Sequence, residues 1–447
     1  MADGAAPAPE SPSPGRAWSY VVAVLAWLGL LVVARIVGLA YVAAHDVPLA
    51  VDAVPWAGRW TFDPANLPAL VVTALVGVAV VVWLPVVAVR WPWRAVLVAT
   101  AAAAAALGGL FARASDHRFR WGSIQWGYGQ HTDLVDAHGV VAYFRDYVTM
   151  QPDLPGHLRA HPPGLVLSLW GFERLGLSGT GFQLTLVLAA GALASVAALV
   201  SLRAVAGESL ARAAAPFVVV APALVWRTNP DVVFAAVALS GVALALVGIC
   251  RPEGRPGDAW ALAGGFVFSM GLLLSYGTAL LAVPVLAVAV DRRAWRRLAL
   301  VAVGGTVGLM LPLLVGFSWL AGLIETNHQY HHSLARARGY RYWLLGNAAT
   351  FAGLVGPATF AGLRRLRAAP GRVLVLAGLA CPVLAGLSGR SSAETERIWQ
   401  PFAPLVLLAG AYLWWRRGDY DLPTARWWLG LQLAVALAFQ AVLRSAW

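Results

Sequence analysis

The chain has 447 residues, of which 60% are hydrophobic and only 12% are charged. Soluble domains carry roughly 25% charged residues, so too little polar sequence remains to cover a globule of this length. This composition excludes a soluble fold. The net charge is +12, and all 33 basic residues are arginine. Most of them lie in short segments between apolar blocks, which is typical of membrane topology and argues against a nucleic-acid partner.

The apolar residues fall in blocks of about 15–23, long enough to cross ~30 Å of hydrocarbon as helices. Backbone groups in lipid must be satisfied within the segment, which excludes isolated strands. We therefore predict an all-α, polytopic membrane protein with about thirteen transmembrane helices. The predicted spans are 19–41, 69–89, 95–111, 181–202, 213–226, 232–249, 259–274, 279–290, 298–320, 342–363, 373–387, 402–415 and 427–442.

Composition also predicts where the transmembrane domain begins. Residues 1–18 are rich in Pro, Ala and Ser, which predicts a disordered N-terminus, and 19–447 form one transmembrane domain. The first apolar block is too long for a signal-peptide core and is interpreted as a retained anchor. Cys250 and Cys381 lie at or inside apolar blocks and indicate neither a disulfide framework nor a metal site.

The arginines also predict an orientation. With a cytoplasmic N-terminus, 18 arginines fall in inside segments and 14 in outside segments. Twelve of those 14 lie in four places: the segment 112–180, the turn around Arg227, the segment 322–341 and the segment 388–397. Arginine kept outside against the usual bias indicates binding of an anionic ligand. We expect a multi-pass protein of the cell membrane with an extracytoplasmic active site.

The segment 112–180 is the one long stretch outside the predicted spans. An apolar stripe, running from Leu134 to Val148 at helical spacing, predicts an amphipathic helix lying on the membrane. Asp133, Asp136 and Tyr143 lie on its other faces. A second helix is predicted to begin at Pro162–Pro163 and to break at Gly176.

Four motifs carry a resemblance to a known family. They are HPPG at 161–164, WRTNPDVVFAAVAL at 226–239, GLLLSYGTALLAVPVLA at 271–287 and AETERIWQPFAPLVLL at 393–408. With the long external segment, they resemble the GT-C glycosyltransferases, most closely the protein O-mannosyltransferase and aminoarabinose-transferase branch. The family's Asp-Glu dipeptide is absent, and Asp133 and Asp136 stand one helical turn apart in its place. Two additional spans also precede the long external segment.

The resemblance implies a GT-C-like fold and transfer of a sugar from a polyprenyl-phosphate donor to an extracytoplasmic hydroxyl. Such a reaction needs a carboxylate to take the acceptor's proton and cations to hold the leaving phosphate. Asp133 and Asp136 are the candidate bases, with Asp133 favoured by its spacing to HPPG. The alternative is that both are solvated acids near a helix start. The donor-phosphate candidates are His161 and Arg159, which precede the Pro-Pro turn, and Arg397.

Further polar residues are candidates with weaker support. Asp231 lies at the end of a span, where acids are costly. Tyr143 is a side chain that the aspartate not acting as the base would orient. The remaining candidates are His331, Arg338 and Tyr340 in the segment 325–343, and Glu394 and Glu396 beside Arg397. An interfacial belt of arginine and aromatic residues explains the segment 325–343 equally well.

We expect no cofactor and no metal site, although His328 and His332, four residues apart, keep a divalent metal open as an alternative. The expected partners are the polyprenyl-phosphate donor, membrane lipid and a glycan, lipid or protein acceptor, with no nucleic acid. The alternative function is a polytopic transporter or a flippase of lipid-linked saccharides. A transporter predicts two related halves with acidic residues at mid-membrane, and the sequence has neither.

Overall fold

The computed structural model describes residues 14–44, 51–115, 123–332, 337–367, 369–416 and 419–445. Residues 1–13, most of the predicted disordered N-terminus, lie outside the described residues, and the first helix begins at Pro14. The described part of the chain is almost entirely helical. The prediction of an all-α, polytopic membrane protein is confirmed.

The helices, in chain order, are α1 (Pro14–Ala43), α2 (Leu67–Arg90), α3 (Trp93–Arg113), α4 (Ser123–Gly127), α5 (Asp133–His138), α6 (Val140–Met150), α7 (Gly156–Arg159), α8 (Gly164–Arg174), α9 (Gly179–Ala206), α10 (Glu208–Val219), α11 (Asp231–Cys250), α12 (Arg255–Leu272), α13 (Ala282–Asp291), α14 (Trp295–Leu314), α15 (Trp319–His331), α16 (Tyr340–Leu363), α17 (Arg372–Leu387), α18 (Thr395–Ile398), α19 (Ala403–Leu407) and α20 (Leu422–Val442). The strands are β1 (Arg59–Trp60), β2 (Trp415–Arg416), β3 (Asp419–Tyr420) and β4 (Leu443–Arg444).

Within the described residues, eight helices are long and apolar enough to cross a membrane: α1, α2, α3, α9, α11, α14, α16 and α20. Two shorter apolar helical stretches, Tyr276–Asp291 and Arg372–Leu387, accompany them. The predicted count of thirteen spans is not confirmed.

Some predicted spans are broken by 3-10 segments. The predicted span 213–226 ends in the 3-10 segment Pro222–Trp226, and the span 402–415 contains another, Leu408–Leu413. Every residue of these two segments is buried. Irregular backbone at membrane depth is tolerated where protein surrounds it, because the protein can supply its hydrogen-bond partners.

Helices α11 and α12 pack closely through small residues. A Cβ placed on Gly248 would lie 2.6 Å from the Ala261 nitrogen, and one on Gly264 would collide with the backbone of Ala245. Small residues at such contacts allow helix backbones to approach each other in a membrane. This packing holds α11, whose first residue is Asp231, in a fixed position.

The ends of the helices fall into two groups. At one end, Arg212 donates to the carbonyls of Ala88 and Trp91, Arg292 donates to Val205, and Tyr420 donates to Ser209. These residues lie in or beside the segments predicted to be inside. The segments predicted to be outside contact one another at the opposite end.

Contacts at the opposite end include those between the segment joining α1 to α2 and the segment after α20. Strand β1 pairs antiparallel with β4, and Arg444 forms an ion pair of 2.7 Å with Asp63. At this same end, the Tyr41 hydroxyl accepts a hydrogen bond from the Gly339 nitrogen. The grouping of segments agrees with the predicted alternation along the chain.

The described part of the segment 112–180, which is predicted to be external, forms short helices beside the bundle. The predicted amphipathic helix is divided into α5 and α6 at Gly139, whose φ of 78° favours glycine. Tyr143 and Tyr147 of α6 face the protein, whereas Val141 is exposed. The predicted second helix is confirmed as α8, which ends two residues before Gly176.

Candidate functional site

Arg397 is the centre of a buried ionic cluster. Its Nη1 donates to the Asp231 carboxylate at 2.8 Å, and its Nη2 donates to the Glu394 carboxylate at 3.0 Å. Arg397 is 5% exposed and Asp231 is 3% exposed. A guanidinium can bind two carboxylates in this way because its donors form a rigid planar fork.

The cluster is positioned by two helix starts. Asp231 is the first residue of α11, where the helix dipole favours a carboxylate. Ala393 and Glu394, just before α18, have φ of 69° and 60°. Left-handed backbone costs about 1–3 kcal/mol for each residue other than glycine, and it concentrates at functional sites. This strained turn directs the Glu394 side chain toward Arg397.

A second cation reaches Glu394 from another segment. Arg338 donates to the Ser392 carbonyl at 2.9 Å and lies 3.5 Å from the Glu394 carboxylate. Burial alone would raise the pKa of Glu394, but the guanidinium groups of Arg397 and Arg338 hold this pKa below its ordinary value. Glu394 is therefore an ionised carboxylate between two cations, with its side chain 27% exposed.

The Pro-Pro turn brings His161 to the same region. The Tyr128 hydroxyl lies 3.0 Å from His161 Nδ1, and the His161 ring packs on Phe234 of α11. Tyr147 donates to the His161 carbonyl at 2.9 Å and fixes the turn. Burial, with a smaller effect of the nearby Arg397 cation, lowers the pKa of His157 to about 4. Burial also lowers the pKa of His161.

Glu396 lies one residue before Arg397 and is fully buried. Its Oε1 accepts a hydrogen bond of 3.0 Å from the Ala57 nitrogen, and its Oε2 has no partner among the described residues. Burial raises the pKa of Glu396 to about 8, so the carboxyl is mainly protonated at neutral pH. A neutral carboxylic acid adds a hydrogen-bond donor that an ionised one lacks.

The two aspartates predicted as bases lie elsewhere on the surface. Asp136 accepts hydrogen bonds from Trp170 Nε1, at 2.6 Å, and from Arg174. Asp133 is exposed one helical turn earlier. The carboxylates seen in contact with Arg397 are Asp231 and Glu394 instead.

The other predicted residues are distributed around this end of the bundle. Tyr143 is buried, and its hydroxyl has no hydrogen-bond partner within the described ranges. Arg159 is half-buried at the end of α7. Tyr340 donates to the Leu387 carbonyl at 3.3 Å, and His331 is exposed at the end of α15.

The arrangement of the histidines bears on the predicted alternative of a divalent metal site. In the part of the chain that the structure describes, no group of three or more His, Cys, Asp or Glu side chains is arranged to hold a metal ion. His328 and His332 stack with ring centroids 4.7 Å apart, and His332 Nδ1 is bonded to the His328 carbonyl. Glu325 is the carboxylate near His328, at 3.9 Å.

Sequence reasoning missed Tyr128 and His157. His157 could have been predicted, because it precedes His161 by four residues, a spacing that places two side chains on the same face of a helix. No sequence pattern indicated Tyr128, because its contact with His161 depends on how the segment 112–180 folds.

The cluster can bind anions and transfer protons. Two cations, Arg397 and Arg338, face two carboxylates, Asp231 and Glu394. A guanidinium that binds carboxylates can also bind phosphate, and a carboxylate that a phosphate displaces from Arg397 becomes free to accept a proton. Comparison with protein-family models, curated proteins and solved structures gave no match for this chain.

Proposed function

We propose that the protein is a membrane glycosyltransferase with a GT-C-like fold. It moves a sugar from a polyprenyl-phosphate donor to the hydroxyl of an extracytoplasmic glycan, lipid or protein. In this proposal the N-terminus is cytoplasmic and the ionic cluster faces outward. One observation carries the proposal: Asp231, Arg338, Glu394 and Arg397, from three separate outside segments, form a single buried cluster.

The cluster has the groups that the reaction needs. The acceptor oxygen attacks the anomeric carbon, the bond from that carbon to the phosphate oxygen breaks, and polyprenyl phosphate leaves. Arg397 and Arg338 hold the phosphate oxygens as negative charge develops on them. A carboxylate takes the proton of the acceptor hydroxyl.

Glu394 is the base that the geometry favours. It is ionised, its side chain is partly exposed, and it touches both candidate phosphate-binding cations. Asp231 is more deeply buried and is suited to holding Arg397 in place. Asp133 and Asp136 remain the bases that the family resemblance implies, and substitutions distinguish the two pairs.

His161 is proposed to contact the donor. Its lowered pKa keeps the imidazole neutral at pH 7. Its Nδ1 donates to the His157 carbonyl at 3.0 Å, so Nε2 can accept a hydrogen bond from a hydroxyl of the donor sugar. Tyr128 and Phe234 hold the ring in position. Arg159, on the adjoining helix, is proposed as a further phosphate contact.

A deletion strain tests the proposal. Loss of a transferase should leave polyprenyl-linked sugar on the outer leaflet, where a membrane-impermeant oxidant can reach it. Loss of a flippase should leave the same lipid on the inner leaflet, protected until lysis. We expect outer-leaflet accumulation that is reversed by the wild-type gene and not by Arg397→Ala. No change in any lipid-linked sugar would refute both functions.

A further inference from the structure

A second buried arginine lies apart from the ionic cluster. Arg227 is 6% exposed and lines a small cavity with room for about one water-sized molecule or ion, with Gln400 as the other polar side chain in its wall. The remaining walls come from small and apolar residues of α9, α11 and α19, with one residue of the 3-10 segment before Arg227. The cavity therefore lies among the helices.

The helices make room for this arginine. A Cβ on Gly191 of α9 would lie 3.2 Å from Arg227 Cδ, and one on Gly108 of α3 would lie 3.6 Å from it. Larger residues at these positions would crowd the side chain. Two glycines thus allow the charged chain to extend between α3 and α9.

The charge of Arg227 is not neutralised by the described residues. Its Nη2 donates to the Val218 carbonyl at 3.3 Å, and its Nη1 has no hydrogen-bond partner in the described ranges. None of the residues lining the cavity is acidic. A buried charge is costly unless it is paired, so this site needs a negative ion.

Arg297 shows how the chain treats a comparable buried arginine. It is 5% exposed, forms an ion pair of 2.8 Å with Asp258, and donates to the carbonyl oxygens of Gly248, Pro252 and Gly254. Arg227 lacks a carboxylate of this kind among the described side chains. The contrast indicates that its counter-ion comes from outside the chain.

We propose that Arg227 and the cavity beside it bind one small inorganic anion of the halide type, with chloride as the probe. A single guanidinium calls for a single negative charge. With only two polar side chains in the wall, a phosphate or carboxylate would have oxygens without donors, which is unfavourable in a buried site. A halide has no such directional requirement. The anion would neutralise Arg227, which lies four residues before Asp231 of the ionic cluster.

The test compares chloride with gluconate at constant ionic strength. Purified full-length protein in detergent should show a saturable rise in Tm of about 2 °C or more as chloride replaces gluconate, because a ligand of the folded state stabilises it. Bromide should act in the same way. Arg227→Gln should lose the rise and should bind radioactive chloride at least about tenfold more weakly, whereas Arg227→Lys should retain part of both.

Arg297→Gln is the matched control: it should lower Tm but keep the chloride-dependent rise. If Arg227→Gln does not fold, the comparison of wild-type Tm in chloride and in gluconate still tests the proposal. Equal Tm in chloride and gluconate for the wild type would overturn the proposal. So would an undiminished rise in Arg227→Gln, or stabilisation by polyprenyl phosphate and not by chloride, which would assign Arg227 to the donor.

Discussion

Arg397 donates a hydrogen bond of 2.8 Å to Asp231, a residue 166 positions earlier in the chain. Both side chains are buried; Asp231 begins α11, and Arg397 lies within the short helix α18. The pair joins the short turn after Trp226 to the segment 388–397, and Glu394 extends it to Arg338. The proposed chemistry depends on this junction, as do the first predictions.

Arg397→Ala should affect both stability and donor binding. Removing one partner of a buried ion pair leaves the other uncompensated, which costs about 3–5 kcal/mol. A lost phosphate contact to a cation weakens donor binding by roughly 1.5–3 kcal/mol. Arg397→Lys should restore only part of each, because lysine lacks the planar fork. Thermal unfolding and donor titration of the purified variants measure the two effects.

Arg296→Ala is the control for Arg397→Ala. Arg296 also forms a short ion pair, 2.7 Å from Asp258, but its side chain is 68% exposed. Exposed pairs contribute about 0–1 kcal/mol, so this variant should stay close to wild type in both assays. Unchanged donor affinity in Arg397→Ala and Arg397→Lys would remove Arg397 from the site.

Four carboxylate substitutions distinguish the candidate bases. Glu394→Gln should lower turnover by about 10²–10⁴ in protein that still folds, because the amide cannot accept the proton. It should also lower Tm, since it weakens the pairs with Arg397 and Arg338. Asp231→Asn should lower Tm as well, since it weakens the pair with Arg397. Asp133→Asn and Asp136→Asn should keep near-wild-type turnover if the buried cluster supplies the base. A large loss in either of these last two would return the base to the external amphipathic helix.

Glu396 should make stability depend on pH. Its pKa is about 8 in the folded protein and 4.5 in an exposed carboxyl. The folded state therefore binds the extra proton, and this contribution to stability is complete below pH 4.5 and lost as pH rises to about 8. Wild-type Tm should fall between pH 6.5 and 8, whereas Glu396→Gln, which stays neutral, should lose that fall.

His157 acts in a different pH range. Its pKa is lowered from 6.5 to about 4, so its contribution to stability is complete above pH 6.5 and is lost as pH falls toward 4. The two effects have opposite signs and oppose each other between pH 4.5 and 6.5, so of these two groups only Glu396 changes stability between pH 6.5 and 8. A wild-type Tm that is flat from pH 6.5 to 8 would show that Glu396 is ionised in the folded protein.

The orientation can be tested with single cysteines in a variant lacking Cys250 and Cys381. Asp153 is exposed in the long external segment, and Arg255 is exposed at the opposite end of the bundle. A membrane-impermeant maleimide should label Asp153→Cys in intact cells and Arg255→Cys only after lysis. The reverse pattern would place the ionic cluster in the cytoplasm and contradict the proposed function.

The fold class followed directly from the sequence because apolar blocks of membrane length leave few other structures. The breaks within them were harder to predict. The segment 213–226 is apolar throughout, yet it ends in a 3-10 turn at Pro222. High hydrophobicity shows only that the segment avoids water. A segment buried among other helices has the same composition as a segment in contact with lipid.

The individual residues of the candidate site could be predicted from the sequence, but their spatial arrangement could not. Asp231, Glu394 and Arg397 were each identified from a local motif. Their convergence depends on long-range packing of α11 against the turn before α18, which one sequence does not reveal. Spacing to HPPG favours Asp133 over Asp136, but spacing does not reveal that Trp170 and Arg174 bind the carboxylate of Asp136.

The most direct test of the central claim is conversion of the donor by purified protein. Lipid extracted from the deletion strain supplies the accumulated donor, and cell-envelope material supplies the acceptor. Mass spectrometry then follows release of free polyprenyl phosphate. We predict rapid release by the wild type and release at least about 10²-fold slower by folded Glu394→Gln. No release by the wild type, or equal release by both proteins, would contradict the account.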